Sequence, residues 1–212
     1  KHVHRTLQAH GMGGVWFGTP LDPPLVWRAP FPASLQQQLV SWSNPSGTIT
    51  NSDLETVGVI AHTDVAVQSR DCREATISLL NDNMAAVSRL RKGAVTSTGA
   101  PARLLGIASL HQRHFRYLLS TAHIPGDANR MADDCSRLWH LDDSQFLSYL
   151  HQTYPQSLLW QLVPLRPAML LSLICAVLSQ RPEPHVYLNV PGPPTTGGKS
   201  GASTVPILGS LT

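Results

Sequence analysis

The sequence predicts an α/β domain built on a mixed sheet. Elements follow one another as strands, helix, strand, helices, strand, helix, which is the order of a helix-covered sheet rather than of a bundle or a sandwich. The first two strands lie close enough in sequence to pair as a hairpin, so the sheet opens antiparallel. Helix starts and stops are written in capping residues at intervals along the chain.

In order, Gly11-Met12-Gly13-Gly14-Val15-Trp16-Phe17-Gly18 reads as a strand entered through a tight turn, and Leu25-Val26-Trp27-Arg28 as its partner after the Asp22-Pro23-Pro24 turn. Asn51-Ser52-Asp53 supplies helix-start chemistry, with Glu55 in the first turn where a carboxylate suits the helix dipole. Leu54, Val57, Ala61 and Val65 follow at helical spacing and predict a helix over 52–69. Ala75 to Leu80 is a β-prone run stopped by Asn81-Asp82-Asn83, and a helix over 83–92 ends at Gly93. Pro101 opens a helix with Leu104, Ile107, Ala108, His111 and Phe115 on one face. Tyr117-Leu118-Leu119 leads into a strand that ends at Pro125-Gly126, and Met131 to Leu138 is the next helix. After Pro155 the pattern weakens, and 185–212 is dominated by Pro, Gly, Ser and Thr and reads as a disordered linker.

At 212 residues the chain has room for one domain with a real core plus an appendage. Lys and Arg total 16 against 13 Asp and Glu, so a net charge of +3 excludes a histone-like polycation. A hydrophobic content of 42% excludes a wholly disordered chain. Cys72, Cys135 and Cys175 are odd in number and far apart, as reduced thiols of an intracellular, cytoplasmic or nuclear protein are. The opening Lys1-His2-Val3-His4-Arg5 has neither a starting Met nor the apolar stretch of a secretory signal, so the expectation is a piece of a longer reading frame that is not secreted. The apolar run Ala168–Leu178 is far shorter than the roughly 20 residues a membrane helix needs. It predicts a packing helix, on this domain or at the start of a next one.

Three carboxylates stand where a sheet-based metal site would put them: Glu55 early in a helix, Asp82 just past a strand end, and Asp133 early in the last helix. Carboxylates gathered from separate elements suit Mg²⁺, and two such ions can activate a water and stabilise a leaving oxygen in phosphodiester cleavage. Taken singly, each reads more readily as a helix cap or a solvated surface group than as a ligand. Between Asp82 and Asp127 there is no acidic residue, while Arg89, Arg91, Lys92, Arg103, Arg113 and Arg116 accumulate, joined by His111 and His114. Such a stretch suits a nucleic-acid backbone, and its plain alternative is a solvated basic face. Ser97 and Thr98 are added phosphate candidates, and His2, His4 and His10 a weak metal motif. Gly197-Gly198-Lys199-Ser200 fails as a phosphate-binding loop because its first glycine would fall on Pro193.

The segment His123-Ile124-Pro125-Gly126-Asp127-Ala128-Asn129-Arg130-Met131-Ala132-Asp133-Asp134-Cys135-Ser136-Arg137 resembles the motif that closes the ribonuclease H domain of retrotransposon polyproteins, most nearly those of fungi and oomycetes. Gly11 to Trp16, Asn51 to Glu55, Asn81 to Ala86, Arg91-Lys92-Gly93 and the helix from Pro101 are similar to that domain's other elements in the same order. The resemblance covers residues 8–154. It implies a five-stranded mixed sheet flanked by helices and Mg²⁺- or Mn²⁺-dependent hydrolysis of the RNA strand of an RNA–DNA hybrid. Glu55, Asp82 and Asp133 would hold two ions, with Asp134 the neighbour most easily confused with Asp133. The basic residues would track the hybrid, and His123 would position the loop beside the site.

One departure matters. The family carries its first catalytic Asp just before the glycine-rich turn, and here Arg5-Thr6-Leu7-Gln8-Ala9-His10 holds no carboxylate. The first strand is therefore expected to be incomplete and the activity weak or absent. The alternatives are a non-catalytic nucleic-acid-binding module or a non-functional remnant of a polyprotein, with a polymerase upstream and an integrase or recombinase downstream. The expected layout is the domain over 8–154, a helical extension over 155–184 and the linker over 185–212.

Overall fold

A computed structural model describes residues 11–17, 21–96 and 98–178, together with the backbone of 206–211. The first strand, β1 (Gly11–Trp16), pairs antiparallel with β2 (Leu25–Pro30), with Gly14 opposite Trp27. β3 (Thr76–Asn81) and β4 (Leu118–His123) run parallel, in a register that sets Asn81 beside His123. A short β5 (Gln161–Leu162) extends the sheet parallel to β2. The sixth strand, β6 (Pro206–Leu211), lies in the middle, antiparallel to β1 and parallel to β3, so the order is β4-β3-β6-β1-β2-β5.

Two expectations are corrected here. The sheet has six strands rather than five, and the end of the 185–212 segment forms its central strand instead of linker. Composition averaged over the Pro- and Gly-rich tail conceals Pro206-Ile207-Leu208-Gly209-Ser210-Leu211, a run long enough to span the sheet. A strand in that place satisfies backbone groups on both β1 and β3 that would otherwise be open edges. The rest of the linker, residues 185–205, lies outside the described residues, as do His2, His4, His10, Ser97 and Gly197 to Ser200.

Three of the described helices start at a side-chain cap. α1 (Ala33–Gln36) is a single short turn that the sequence reading did not anticipate. α2 (Asn51–Ser69) starts at Thr50 rather than at Asn51 or Ser52: the Thr50 hydroxyl accepts from Asp53 N, and the Asp53 carboxylate accepts from Thr50 N at 2.9 Å. α3 (Met84–Lys92) is capped by Asn83, whose side chain accepts from Ala86 N at 3.0 Å, and ends at Gly93 in the left-handed region. α4 (Ala100–Phe115) buries Leu104, Ile107, Ala108, His111 and Phe115, the face read from periodicity. α5 (Arg130–Arg137) and α6 (Asp143–Thr153) follow, the latter also unanticipated although Asp142 and Gln145 form a complete capping box.

α2 is the centre of one layer. Its Leu54, Val57, Ile60, Ala61 and Val65 share a core with Met12 and Trp27 of the sheet and with Leu104 and Ile107 of α4. α7 (Pro167–Val177) contributes Met169, Leu173 and Ala176 to that same core, so the extension packs on the main domain. The opposite face of β1 and β2 carries Val15 and Val26 against Cys135, Phe146, Leu150 and Trp160. The glycines of β1 permit both layers to approach: a Cβ on Gly13 would lie 2.5 Å from Cys135 Cβ, and one on Gly14 would lie 2.4 Å from His62 Nδ1. Arg28 locks β2 to the α5–α6 connection, donating to the Leu138 and Leu141 carbonyls and to Asp143.

Candidate functional site

Glu55 sits one turn into α2 and is 1% exposed. Its Oε2 accepts from Asn81 Nδ2 at 2.9 Å, which ties the start of α2 to the last residue of β3. Asn81 is buried, and its Oδ1 accepts from Asn83 N at 2.8 Å, so one amide side chain orients the β3–α3 turn that displays Asp82. On the other side His123, the last residue of β4, donates from Nε2 to the Asp82 carbonyl at 3.2 Å. The loop beyond it closes over Asp82: a Cβ on Gly126 would stand 3.7 Å from Asp82 Oδ2. Glu55, through Asn81, and His123, through the Asp82 carbonyl, thus brace the turn at the carboxyl end of β3, where α/β folds present reactive groups.

Asp133 lies in the first turn of α5, across β1 and β6 on the other face of the sheet, and pairs with Arg137 at 3.2 Å. Its neighbour Asp134 is engaged differently. Its Oδ2 accepts from the hydroxyls of Tyr149 and Tyr154, each at 2.7 Å, so it fastens α6 and the following residue to α5. Burial, reinforced by that carboxylate, raises the pKa of both hydroxyls.

The basic residues separate into two groups. Arg89 donates to Asp53 at 2.9 Å and to Thr56 Oγ1 at 3.0 Å, joining α3 to the start of α2. Arg103 reaches the Ala176 carbonyl of α7, and Arg116 pairs with Glu74. Arg91, Lys92 and Arg113 are exposed, as is His123. Arg113 and Arg116 close α4 beside the start of β4, at the far end of β3 from Asp82; the six residues of β3 span about 17 Å. Arg91 and Lys92 stand at the far end of α3 from Asp82, about 12 Å along the helix. Of the exposed cations, Arg91 and Lys92 are therefore nearer to Asp82 along the chain than Arg113.

A second polar cluster escaped the sequence reading. Asp64 is fully buried in α2 and accepts from His111 Nε2 at 3.1 Å, Gln68 Nε2 at 3.1 Å and Arg166 Nε at 3.0 Å, with a further bond from Arg166 Nη2. His111 Nδ1 meets the Tyr117 hydroxyl at 2.8 Å. Burial lowers the His111 pKa, so the ring is neutral: Nε2–H donates to Asp64 and Nδ1 accepts from Tyr117. The one available signal was His111 on an apolar helix face, which marks a buried histidine but not its partners. The cluster is walled off from solvent and joins α2, α4 and the residue before α7. Of the thiols, burial pushes Cys72 up to about 12 and raises Cys135 as well, outweighing the opposite pull of Arg70 on the first and of Arg28 on the second.

No three His, Cys, Asp or Glu side chains among the described residues gather closely enough to hold a metal ion. No helix among them is long and apolar enough to cross a membrane. No protein-family model matches the chain, and neither a curated protein nor a solved structure matches it.

Proposed function

We propose that this chain is a ribonuclease H-like domain derived from a retrotransposon polyprotein, one that holds an RNA–DNA hybrid and cuts its RNA strand weakly or not at all. The observation that carries this reading is the buried Asn81–Glu55 hydrogen bond. It draws one expected carboxylate to the strand end that displays another, Asp82, at the place in the sheet where the resemblance puts the reaction. The β1–β2 hairpin, the parallel β3–β4 pair and the helices between them, in the order the resemblance implies, support it further.

The donor chemistry suits Mg²⁺ or Mn²⁺, hard ions that prefer carboxylate oxygens. Two such ions supply an activated water and a counter-charge for the leaving oxygen. The geometry fits them incompletely. Glu55 already accepts from Asn81, Asp133 is engaged by Arg137, and no three-ligand group forms among the described residues. The strand paired with both β1 and β3 is Pro206–Leu211, which contains no carboxylate. Glu55, Asp82 and Asp133 therefore have a residual role in cleavage, and binding is the stronger expectation. That same incomplete geometry favours a second reading, a purely non-catalytic nucleic-acid-binding module on this fold.

Incubating a labelled RNA–DNA hybrid with the chain and Mg²⁺ or Mn²⁺, with binding followed in parallel, separates the two. The first reading expects salt-dependent binding with slow cleavage that disappears in Asp82→Asn. Gly209 is the β6 partner of Asn81, so Ser210→Asp adds a carboxylate one residue further, level with Asp82, and cleavage rises in that variant. Binding with no cleavage by either protein selects the second reading, and a chain that binds no hybrid at all overturns both. The polyprotein origin implies polymerase sequence upstream and an integrase or recombinase downstream, which translation of the flanking frame examines directly.

A further inference from the structure

We propose that Trp42 is a stacking platform for an unpaired nucleobase, on the loop that leads into α2, an inference that rests on the nucleic-acid reading and adds to it the class of substrate the protein prefers. Trp42 is 88% exposed, whereas Trp16, Trp27 and Trp160 are buried and Trp139 donates to the Ser136 carbonyl. The indole stands in solvent on a backbone that is held firmly. Ser41 and Asn44 exchange backbone hydrogen bonds at 3.1 Å on either side of the turn. The Asn44 side chain donates to the Gln37 and Leu39 carbonyls at 2.9 and 3.1 Å. Val40 N donates to Ile49 O at 2.8 Å, and Thr48 and Ile49 both donate to Gln38 O. Leu35, Leu39 and Ile49 root the loop in the main core. Gly47 is pressed so closely to Gln38 O that a Cβ would come within 2.7 Å.

A rigidly presented aromatic loses little freedom on binding, which is what makes a stacking surface effective. The position points to the ligand. The loop runs directly into Thr50, the cap of α2, and Glu55 follows within the first turns of that helix. Its chemistry points the same way. Residues 31–50 contain no charged side chain, so the loop offers no countercharge to an anionic lipid headgroup or to a phosphate. It offers instead an indole, half-exposed apolar Val40 beside it, and the exposed polar side chains of Gln37 and Ser43, which suit a base and its sugar. Base stacking on an aromatic ring is sequence-tolerant, because every base presents a π-face. A base buried in a continuous duplex has no free face, so the preferred substrate has a single-stranded overhang or flap next to its paired segment.

The test compares the full chain with Trp42→Ala and Trp42→Phe on two ligands, a blunt RNA–DNA hybrid and the same hybrid with a single-stranded overhang. Anisotropy gives affinity and tryptophan emission reports the indole. The overhang is expected to quench the emission of the wild-type chain, and this quenching is lost in both variants. Trp42→Ala weakens overhang binding by about fivefold or more, Trp42→Phe recovers part of it, and blunt-hybrid binding changes by less than about twofold. Circular dichroism confirms that such an exposed substitution leaves the fold intact. Overhang affinity unchanged in Trp42→Ala overturns the stacking role while hybrid binding still stands. If neither ligand binds the wild-type chain, the functional reading has failed together with this one.

Discussion

His62 accepts a hydrogen bond from Trp27 Nε1 at 2.9 Å through its Nδ1, with the backbone of Gly14 pressed against the ring. Burial brings its pKa from 6.5 down to about 3. His111 is lowered as well, by burial first, against the opposing pull of Asp64. Both rings are neutral acceptors or donors in the fold, whereas in the unfolded chain they take a proton near pH 6.5. Stability is therefore fully present above that pH and is lost as pH falls toward the folded values, by up to about 1.4 kcal/mol per pH unit for each histidine. Thermal unfolding followed from about pH 7 to about pH 5 should show a falling Tm. In His62→Gln the Tm starts lower and falls less steeply; an equally steep fall would show that another group sets the dependence. At this scale the sequence was partly legible. It singled out Glu55 and Asp82 as candidates, but the amide of Asn81, which bonds Glu55 and the turn after Asp82, reads in sequence only as part of an Asn-Asp-Asn strand stop.

Asp133 and Asp134 are indistinguishable as sequence, yet consecutive residues of a helix point about 100° apart, so only one of them can meet α6. Packing of α6 on α5 selects Asp134, whose carboxylate receives two tyrosine hydroxyls, whereas Asp133 makes a partly exposed pair with Arg137. Asp134→Ala strands both hydroxyls and should lower stability by about 1–3 kcal/mol in denaturant unfolding. Asp133→Asn loses a surface ion pair worth roughly 0–1 kcal/mol and leaves the midpoint nearly unmoved. Residual cleavage, where it is detected, responds in the opposite order: it falls in Asp133→Asn at full stability. A large stability loss in Asp133→Asn alone would reverse the assignment. α6 itself was legible in principle, because Asp142 and Gln145 form a capping box before Phe146 and Leu150. Its apolar positions are few, and without the Val15–Val26 face to pack on they carry little periodic signal.

Across the molecule, β6 is the strand through which the two halves of the sheet join. β4 and β3 lie on one side of it and β1, β2 and β5 on the other, and β3 is hydrogen-bonded to β6 rather than to β1. A chain ending at Val205 would open β1 and β3 as edges in the middle of the protein. Cooperative thermal unfolding should be lost in that truncation and self-association should appear on size exclusion; an unchanged Tm would mean that the sheet holds without its sixth strand. What the sequence by itself determined was the local grammar. The glycine-rich hairpin, the helices from 51, 84, 100 and 130, and the strands at 76 and 118 all follow from capping, periodicity and turn residues within a few positions of one another. What only the tertiary structure decided was pairing across long separations: which segment stands between β1 and β3, that Arg166 and α7 close over α2, and that Glu55 meets Asn81. Those choices rest on backbone groups seeking partners and on faces seeking cover, and both depend on residues far apart along the chain.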